Sequence, residues 1–212
     1  MVTARIGVLA LQGDVIEHLR ALESAGARAV KVRRAEELDQ LDGIVIPGGE
    51  STTIDKLSRI FEVREPLIDK IRNGLPVYGS CAGMILLADR IVDGIDDQQT
   101  FGGLDITVRR NAFGRQVDSF ETDLDLDLDH GDGRGSSTGS GDPFHAVFIR
   151  APWVEKVGAD VTVIGRVPHA ADPTGEGAIV AVRQDKLLAT SFHPEVTGDH
   201  RLHAYFVRLA TS

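Results

Sequence analysis

Short apolar runs alternate with amphipathic segments through residues 5–87. The runs at 5–11, 29–32, 43–46 and 76–78 predict buried strands, because each is short and is bounded by polar or Gly/Pro residues. Between these runs, apolar residues at helical spacing predict helices. Strands and helices that alternate in this way are typical of βαβ units around a parallel sheet, so we expect an α/β fold.

Several residues are expected to begin or interrupt the helices of this first half. Asp14 is a favourable N-cap for the first helix, and Ser51 is one for a helical region over 52–73. We expect that region to be interrupted near Pro66, because proline lacks the backbone N–H that a helix interior needs.

Beyond residue 100 the hydrophobic period changes to two, which predicts strands. These strands are expected at 107–110, 116–128, 146–149, 161–167, 178–182 and 187–192. Residues 199–209 predict a closing helix.

Residues 129–142 contain five glycines and three serines among acidic residues. Such a segment predicts a flexible surface loop, because it is too polar and mobile to pack. The strands on either side are expected to belong to one sheet, so we interpret residues 1–212 as a single domain and not as two domains joined by a linker.

The charge balance and the cysteine count exclude several classes of protein. The chain has 32 Asp and Glu against 23 Lys and Arg, a net charge of −9, which disfavours nucleic acid as a partner. One cysteine excludes an intramolecular disulfide framework and a Cys-rich zinc site. No stretch approaches the ~18 apolar residues of a membrane helix, and the N-terminal apolar run is too short for a signal peptide. We therefore expect a soluble, cytoplasmic protein without a membrane partner.

The acidic residues are 21 Asp and 11 Glu, and the basic residues are 18 Arg and 5 Lys. Short acidic side chains with little lysine suit a surface that self-repulsion keeps soluble in a high-salt cytoplasm. An acidic mesophilic protein explains the same composition, so both interpretations stay open.

The sequence Gly-Ser-Cys-Ala-Gly at 79–83 directly follows a predicted strand and precedes an apolar helix through Leu87. This is the thiol version of a nucleophile elbow, a tight strand-to-helix turn that holds the nucleophile clear of the sheet. The glycines let the turn close, and the helix N-terminus stabilises a thiolate. A lone cysteine is more often a small buried hydrophobe, but this context makes Cys81 the candidate nucleophile.

A thiol nucleophile needs a base, and His193-Pro194-Glu195 follows the apolar strand at 187–192. Side chains at i and i+2 of extended backbone point the same way, so Glu195 can orient His193 while the other ring nitrogen faces Cys81. Taken alone, the tripeptide is more typical of a polar strand end at the surface. Sequence order does not establish that these residues meet.

Acyl transfer also needs donors for the oxyanion, and Gly48 and Gly49 follow the strand at 43–46. Their backbone N–H groups are expected at the carboxyl edge of the sheet, where open α/β folds place ligands. The N–H of Ala82, next to the nucleophile, is a further candidate donor. By itself a Gly-Gly pair is usually only a turn.

Residues 47–53, 79–83 and 191–195 together resemble the triad-type (class I) glutamine amidotransferases. Within that class the chain is most similar to the glutaminase subunits of pyridoxal 5'-phosphate synthase. The narrower likeness rests on residues 11–13, 110–121, 147–152 and 197–201, and it covers nearly the whole chain. The resemblance implies a three-layer, flavodoxin-like fold, in which helices flank an open, mixed and mostly parallel sheet.

The resemblance also implies hydrolysis of L-glutamine to L-glutamate and ammonia, with Cys81 as nucleophile, His193 as base and Glu195 as its orienter. The residues expected to bind glutamine are Gly49, Glu50, Ser51, Arg110, Ile149 and Arg150. An arginine and a glutamate are sensible partners for the carboxylate and the ammonium of an amino acid. The likeness also places Gln12 close to the active site and to the synthase interface.

In that family the ammonia passes to a synthase subunit within a large hetero-oligomer, and the glutaminase is poorly active until it docks. Free ammonia is largely protonated at neutral pH and then no longer nucleophilic, which is a physical reason for direct transfer. No metal or bound cofactor is expected on this subunit.

Two alternatives remain on the sequence. One is the same chemistry for another acceptor, such as imidazole glycerol phosphate synthase, which residues 110–121 disfavour. The other is a non-enzymatic redox or binding module, because elbow cysteines are easily oxidised. His200 and His203, at i and i+3 of the last predicted helix, are interpreted as surface residues and not as metal ligands.

Overall fold

The computed structural model describes residues 3–94, 97–110, 119–128, 142–168 and 175–212. In chain order its strands are β1 (Arg5–Leu9), β2 (Arg28–Val32), β3 (Gly43–Ile46), β4 (Val77–Ser80), β5 (Ala88–Val92), β6 (Leu104–Arg109), β7 (Ser119–Leu124), β8 (Phe144–Ile149), β9 (Trp153–Val157), β10 (Thr162–Val167), β11 (Ala178–Gln184) and β12 (Leu187–Thr190). Its α-helices are α1 (Val15–Ser24), α2 (Ser51–Ile60), α3 (Arg64–Arg72), α4 (Ala82–Leu87) and α5 (Arg201–Thr211). Single 3-10 turns cover Ala35–Leu38 and Pro194–Val196.

The main sheet has ten strands in the order β2-β1-β3-β4-β12-β11-β9-β6-β5, with β10 also paired to β11. Neighbouring strands from β2 to β12 are all parallel, and so are β5 and β6. Strands β9, β10 and β11 pair antiparallel with their neighbours. The parallel half therefore brings the carboxyl ends of β1, β3, β4 and β12 to one edge, where ligands of open α/β sheets bind.

Hydrophobic residues cover both faces of this sheet. One cluster joins β3 to the helices α2, α3 and α4, through residues such as Ile44, Ile54 and Leu67. The other joins the opposite face of β3 to α1 and α5, through Val45 and Phe206 among others. Because adjacent strand residues enter different clusters, the helices form layers on two sides of the sheet. The predicted α/β fold, with a mixed and mostly parallel sheet flanked by helices, is confirmed.

The helical region at 52–73 is divided earlier than expected. Helix α2 ends at Ile60 and α3 begins at Arg64, with Glu62 at a φ of 54° between them. Pro66 lies in the first turn of α3, where its missing N–H leaves no helical hydrogen bond unmade. Ser51 is the first residue of α2 and not its cap. The Glu50 carboxylate caps that helix by accepting from the backbone N–H groups of Thr52 and Thr53.

Strands β5 and β9 were not predicted. Strand β5 follows α4 without a break, so no turn residue marks where it begins. Strands β7 and β8, which flank the loop predicted at 129–142, pair with each other in one antiparallel sheet as expected, but this two-stranded sheet is separate from the main sheet. Most of the loop predicted at 129–142, and residues 111–118 of the motif at 110–121, lie outside the described residues. In the described part of the chain, no helix has the length and apolar character needed to span a membrane.

Candidate active site

Four connections meet at the carboxyl edge of the parallel strands. Gln12 and Asp14 follow β1, Gly48 follows β3, Cys81 follows β4, and His193 follows β12. The register pairs Ser80 with Thr190, so the elbow and the His193 segment leave the sheet side by side.

Cys81 lies in a strained turn between β4 and α4, with φ 48° and ψ −99°. Such a conformation costs a non-glycine residue about 1–3 kcal/mol and is common at functional sites. The Cys81 N–H donates to the Thr190 carbonyl at 2.8 Å, which ties the turn to β12. A Cβ at Gly83 would lie 2.2 Å from the Ile46 carbonyl oxygen, and one at Gly79 would lie 2.5 Å from the Gly83 carbonyl carbon. The two glycines are therefore required by the close packing of the elbow.

His193 and Glu195 are both buried, and they form a hydrogen-bonded pair in which Nδ1 lies 2.7 Å from Oε1. The 3-10 turn at Pro194–Val196 carries Glu195 back beneath the ring. The His193 N–H donates to the Val147 carbonyl at 2.9 Å, which fixes the backbone against β8. Cys81 is close enough to the ring to raise the pKa of His193. The structure thus brings together the three residues that the sequence analysis singled out.

A second carboxylate, Asp14, reaches the same ring nitrogen. The sequence predicted that Asp14 caps α1, but its side chain makes no capping hydrogen bond, and its Oδ2 lies 3.3 Å from Nδ1 of His193. Burial disfavours the charged imidazolium, but hydrogen bonds with Asp14, Cys81 and Glu195 outweigh burial and raise the pKa of His193 to about 12. Burial raises the pKa of Glu195, although the hydrogen bond and charge of His193 act in the other direction. The ring therefore holds its proton at neutral pH and faces the sulfur as a cation.

The Gly48-Gly49 turn packs directly on the catalytic candidates. A Cβ at Gly48 would lie 2.4 Å from Cε1 of His193, and Gly49 has a φ of +150°. Gln12 holds this turn, because its Oε1 accepts the Glu50 N–H at 2.8 Å. Ala82, the first residue of α4, lies buried beside Cys81.

Three of the residues expected to bind glutamine, Glu50, Ser51 and Arg110, are joined by a chain of hydrogen bonds that includes Gln98. Arg110 donates to Glu50 Oε1 at 3.3 Å and to Gln98 Oε1 at 2.7 Å, and the Gln98 amide donates to Ser51 Oγ at 2.9 Å. Burial acts to raise the pKa of Glu50, but hydrogen bonds from Thr52 and Thr53 lower it overall. Sequence reasoning missed Gln98, which lies in an irregular segment that carries no recognisable motif.

Ile149 and Arg150 lie at the end of β8, just past the Val147 carbonyl that binds the His193 backbone. Ile149 is 44% exposed, and Arg150 is exposed with a φ of 44°. Among the described residues, the Arg150 side chain forms no hydrogen bond or ion pair with Cys81, His193 or Glu195. These two residues therefore form part of the rim of the site and not of its buried centre.

The interpretation of His203 as a surface residue was wrong. His203 is fully buried on α5, although His200 stays partly exposed. Helix α5 turns Leu202 and Phe206 into the core, and His203 lies between them on the same face. The ring of His203 contacts that of His18 on α1, which is also fully buried.

Asp14, His193 and Glu195 also form a possible metal-binding group, because one donor atom of each lies within 4.8 Å of the others. The same atoms already form hydrogen bonds and ion pairs among themselves. A metal ion and the ring proton cannot occupy Nδ1 together.

Comparison with known proteins identifies the family. Residues 8–212 match the SNO glutamine amidotransferase family. "Pyridoxal 5'-phosphate synthase subunit PdxT" of Paenarthrobacter aurescens is 63% identical over 215 residues, covering 97% of this chain and 91% of that protein. The protein of the same name from Kineococcus radiotolerans is 64% identical over 202 residues, covering 95% of this chain and 92% of that protein.

Solved structures agree with this assignment. A crystal structure described as a glutamine amidotransferase has 44% sequence identity and a TM-score of 0.83, covering 98% of this chain and 99% of that one. A glutamine amidotransferase from Thermotoga maritima has 12% identity and a TM-score of 0.64 with full coverage of both chains, which supports the fold alone. With a match over almost its entire length and relatives above 60% identity, the chain belongs to the SNO glutamine amidotransferase family.

Proposed function

We propose that this chain is the glutaminase subunit of a pyridoxal 5'-phosphate synthase. It hydrolyses L-glutamine to L-glutamate and ammonia and passes the ammonia to a synthase subunit in a large hetero-oligomer. The observation that carries the proposal is Cys81 at a strained elbow, within reach of a buried His193 that is hydrogen-bonded to Glu195. The names of the relatives favour this acceptor over imidazole glycerol phosphate synthase.

In the proposed mechanism, the Cys81 sulfur attacks the side-chain amide carbon of glutamine as a thiolate. The protonated His193 then gives its proton to the departing nitrogen, so that ammonia leaves and a thioester remains. The neutral ring next takes a proton from water, and the resulting hydroxide attacks the thioester. The C–S bond breaks, glutamate leaves, and the cysteine-histidine pair is restored. Glu195 orients the ring in both steps.

The oxyanion that forms in each step needs preorganised donors. We assign this role to the backbone N–H groups of Gly48, Gly49 and Ala82, which lie around the elbow and His193. Gln12 supports the role because it anchors the turn through the Glu50 N–H.

Glutamine carries a carboxylate and an ammonium that need partners of opposite charge. Glu50 and Arg110 supply these charges at one side of the elbow, with Gly49 and Ser51 next to them. Ile149 and Arg150 complete the binding site from the rim of β8. The proposed location is the cytoplasm, where a reducing environment keeps Cys81 a free thiol.

The test is release of ammonia and glutamate from glutamine, measured at low and high salt, with and without the synthase subunit. We expect activity to appear or rise when the partner is added. Cys81→Ala should lower it by about 10³-fold or more, because it removes the nucleophile while changing side-chain volume little.

The controls are circular dichroism and co-elution of the variant with the synthase subunit. No release under any condition, from folded and docked protein, would contradict the glutaminase proposal and favour the redox or binding module. Equal activity in folded Cys81→Ala protein would refute the cysteine mechanism.

A further inference from the structure

A pair of buried histidines lies behind the carboxylate of the proposed triad. His18 on α1 and His203 on α5 are both fully buried, with His18 Nδ1 3.0 Å from His203 Nε2. The other ring nitrogen of His18, Nε2, lies 3.5 Å from Glu195 Oε2. The second oxygen of Glu195 binds His193 at 2.7 Å. The contacts therefore run from α5 through α1 to the candidate base.

The carboxylate oxygen that faces His18 is short of donors. Ser80 Oγ lies 3.3 Å from Glu195 Oε2, but it lies at the same distance from the Phe192 carbonyl. Because a hydroxyl has one proton, Ser80 cannot fully satisfy both acceptors. Within the described residues, Nε2 of His18 has no partner at hydrogen-bonding geometry, although it is buried beside this oxygen.

This arrangement selects one tautomer of His18. A proton on Nε2 places a donor against the Glu195 carboxylate and leaves Nδ1 to accept from Nε2–H of His203. The opposite tautomer would place a nitrogen lone pair against a negatively charged oxygen. The donors therefore point in one direction, from His203 to His18 and from His18 to Glu195.

The surroundings keep both imidazoles neutral. Burial, with the repulsion that a positive charge on His203 or His193 would exert, holds the pKa of His18 well below its usual value. Burial together with His200 lowers the pKa of His203 to about 3. Tyr78 packs its ring edge-on against both histidines, at centroid distances of 6.1 and 5.8 Å. The titratable groups that face the histidines and Glu195 are Tyr78, His193, His200 and Asp14.

We propose that His18, backed by His203, is a positioning residue that keeps Glu195 ionised and keeps its Oε1 turned toward His193. This inference rests on the proposed glutaminase function. Burial favours the neutral form of Glu195 and raises its pKa, although the His193 ring and a backbone hydrogen bond of Glu195 act against burial. A donor from His18 beside Oε2 adds to these interactions and favours the carboxylate. A protonated Glu195 would no longer stabilise the imidazolium of His193. Proton transfer between the His193 ring and Cys81 would then be impaired.

The test compares two substitutions of His18 in the complex with the synthase subunit. His18→Phe keeps a planar ring of similar size and removes both nitrogens, whereas His18→Gln retains an amide N–H near the position of Nε2. We expect His18→Phe to lower kcat about tenfold at neutral pH, with KM little changed, because the effect acts through the base and not through glutamine. Its acid limb in the kcat–pH profile should move to higher pH, since Glu195 is then protonated more easily. His18→Gln should recover most of the loss.

A folded His18→Phe protein with the kcat and acid limb of the wild type would overturn the proposal, and so would a His18→Gln protein that behaves like His18→Phe. If His18→Phe does not fold, the proposal is tested by nitrogen-15 NMR of histidine-labelled wild-type protein, which reports the tautomer and charge of His18. The His18→Gln protein is used to assign the His18 signals. The expected result is a neutral His18 protonated on Nε2, and a proton on Nδ1 or a charged ring contradicts the proposal. Wild-type protein without glutaminase activity would instead refute the proposed function, and the tautomer could still be measured.

Discussion

Gly48→Ala tests whether the Gly48-Gly49 turn sets the position of the His193 ring, the proposed catalytic base. The new Cβ would lie 2.4 Å from Cε1 and 2.8 Å from Nδ1 of His193, and 3.1 Å from Oδ2 of Asp14. Ordinary contact begins at 3.4 Å, so the ring must move by about 1 Å. The backbone at Gly48 is compatible with alanine, because its φ is not in the left-handed region.

A displacement of this size acts on the 2.7 Å bond between His193 and Glu195 and on the approach to Cys81. A misplacement of about 1 Å can lower a rate about 10²-fold, which corresponds to about 2.7 kcal/mol in the barrier. We therefore expect kcat for ammonia release to fall about 10²-fold. The assay is steady-state glutamine hydrolysis with the synthase subunit present.

Gly74→Ala is the matched control. A Cβ at Gly74 would meet nothing within 4 Å, but its φ of +86° disfavours alanine. This control should lose about 1 kcal/mol of unfolding free energy and keep its activity. Gly48→Ala should differ from this control by losing activity in ammonia release. A Gly48→Ala protein with wild-type kcat and KM would refute the reasoning, because the ring then could not lie against Gly48 as the structure has it.

Two further predictions concern stability. Gly83→Ala should lower the free energy of unfolding by about 1–3 kcal/mol, because its Cβ would lie 2.2 Å from the Ile46 carbonyl oxygen. A thermal midpoint equal to that of the wild type would contradict the close packing of the elbow. The second concerns pH: the pKa of His203 is about 3 in the folded protein and about 6.5 in the unfolded chain. Between these two pH values the unfolded chain binds more protons than the folded protein. The free energy of unfolding therefore falls as the pH drops below about 6.5. The slope due to His203 is at most about 1.4 kcal/mol per pH unit, and urea unfolding at several pH values should give a shallower acid loss for His203→Phe than for the wild type.

The sequence predicted the parts of the site that depend on neighbouring residues. The elbow at Cys81 is a local strand-turn-helix unit, and its glycines are needed within a few residues of Cys81. His193 and Glu195 are two residues apart, so one short turn sets their contact. The alternation of strands and helices up to α4 likewise reflects local hydrophobic periods.

Contacts between distant residues were not predictable in the same way. Asp14 has the sequence character of a helix cap, but the approach of β12 places His193 next to its carboxylate. Gln98 forms hydrogen bonds with Ser51 and Arg110 only because the tertiary fold brings these segments together. Strands β5 and β9 depend on pairing with β6, which a single strand's pattern does not reveal.

The sequence by itself determined the fold class, the strand-turn-helix elbow at Cys81 and the histidine-glutamate pair, because spacings of a few residues specify each of them. Only the tertiary structure decided what surrounds them. His18 and His203 are 185 residues apart, and each alone is an ordinary histidine on an amphipathic helix. They become a buried donor pair behind Glu195 because α1 and α5 pack on the same face of the sheet, and burial then removes the water that would otherwise solvate them.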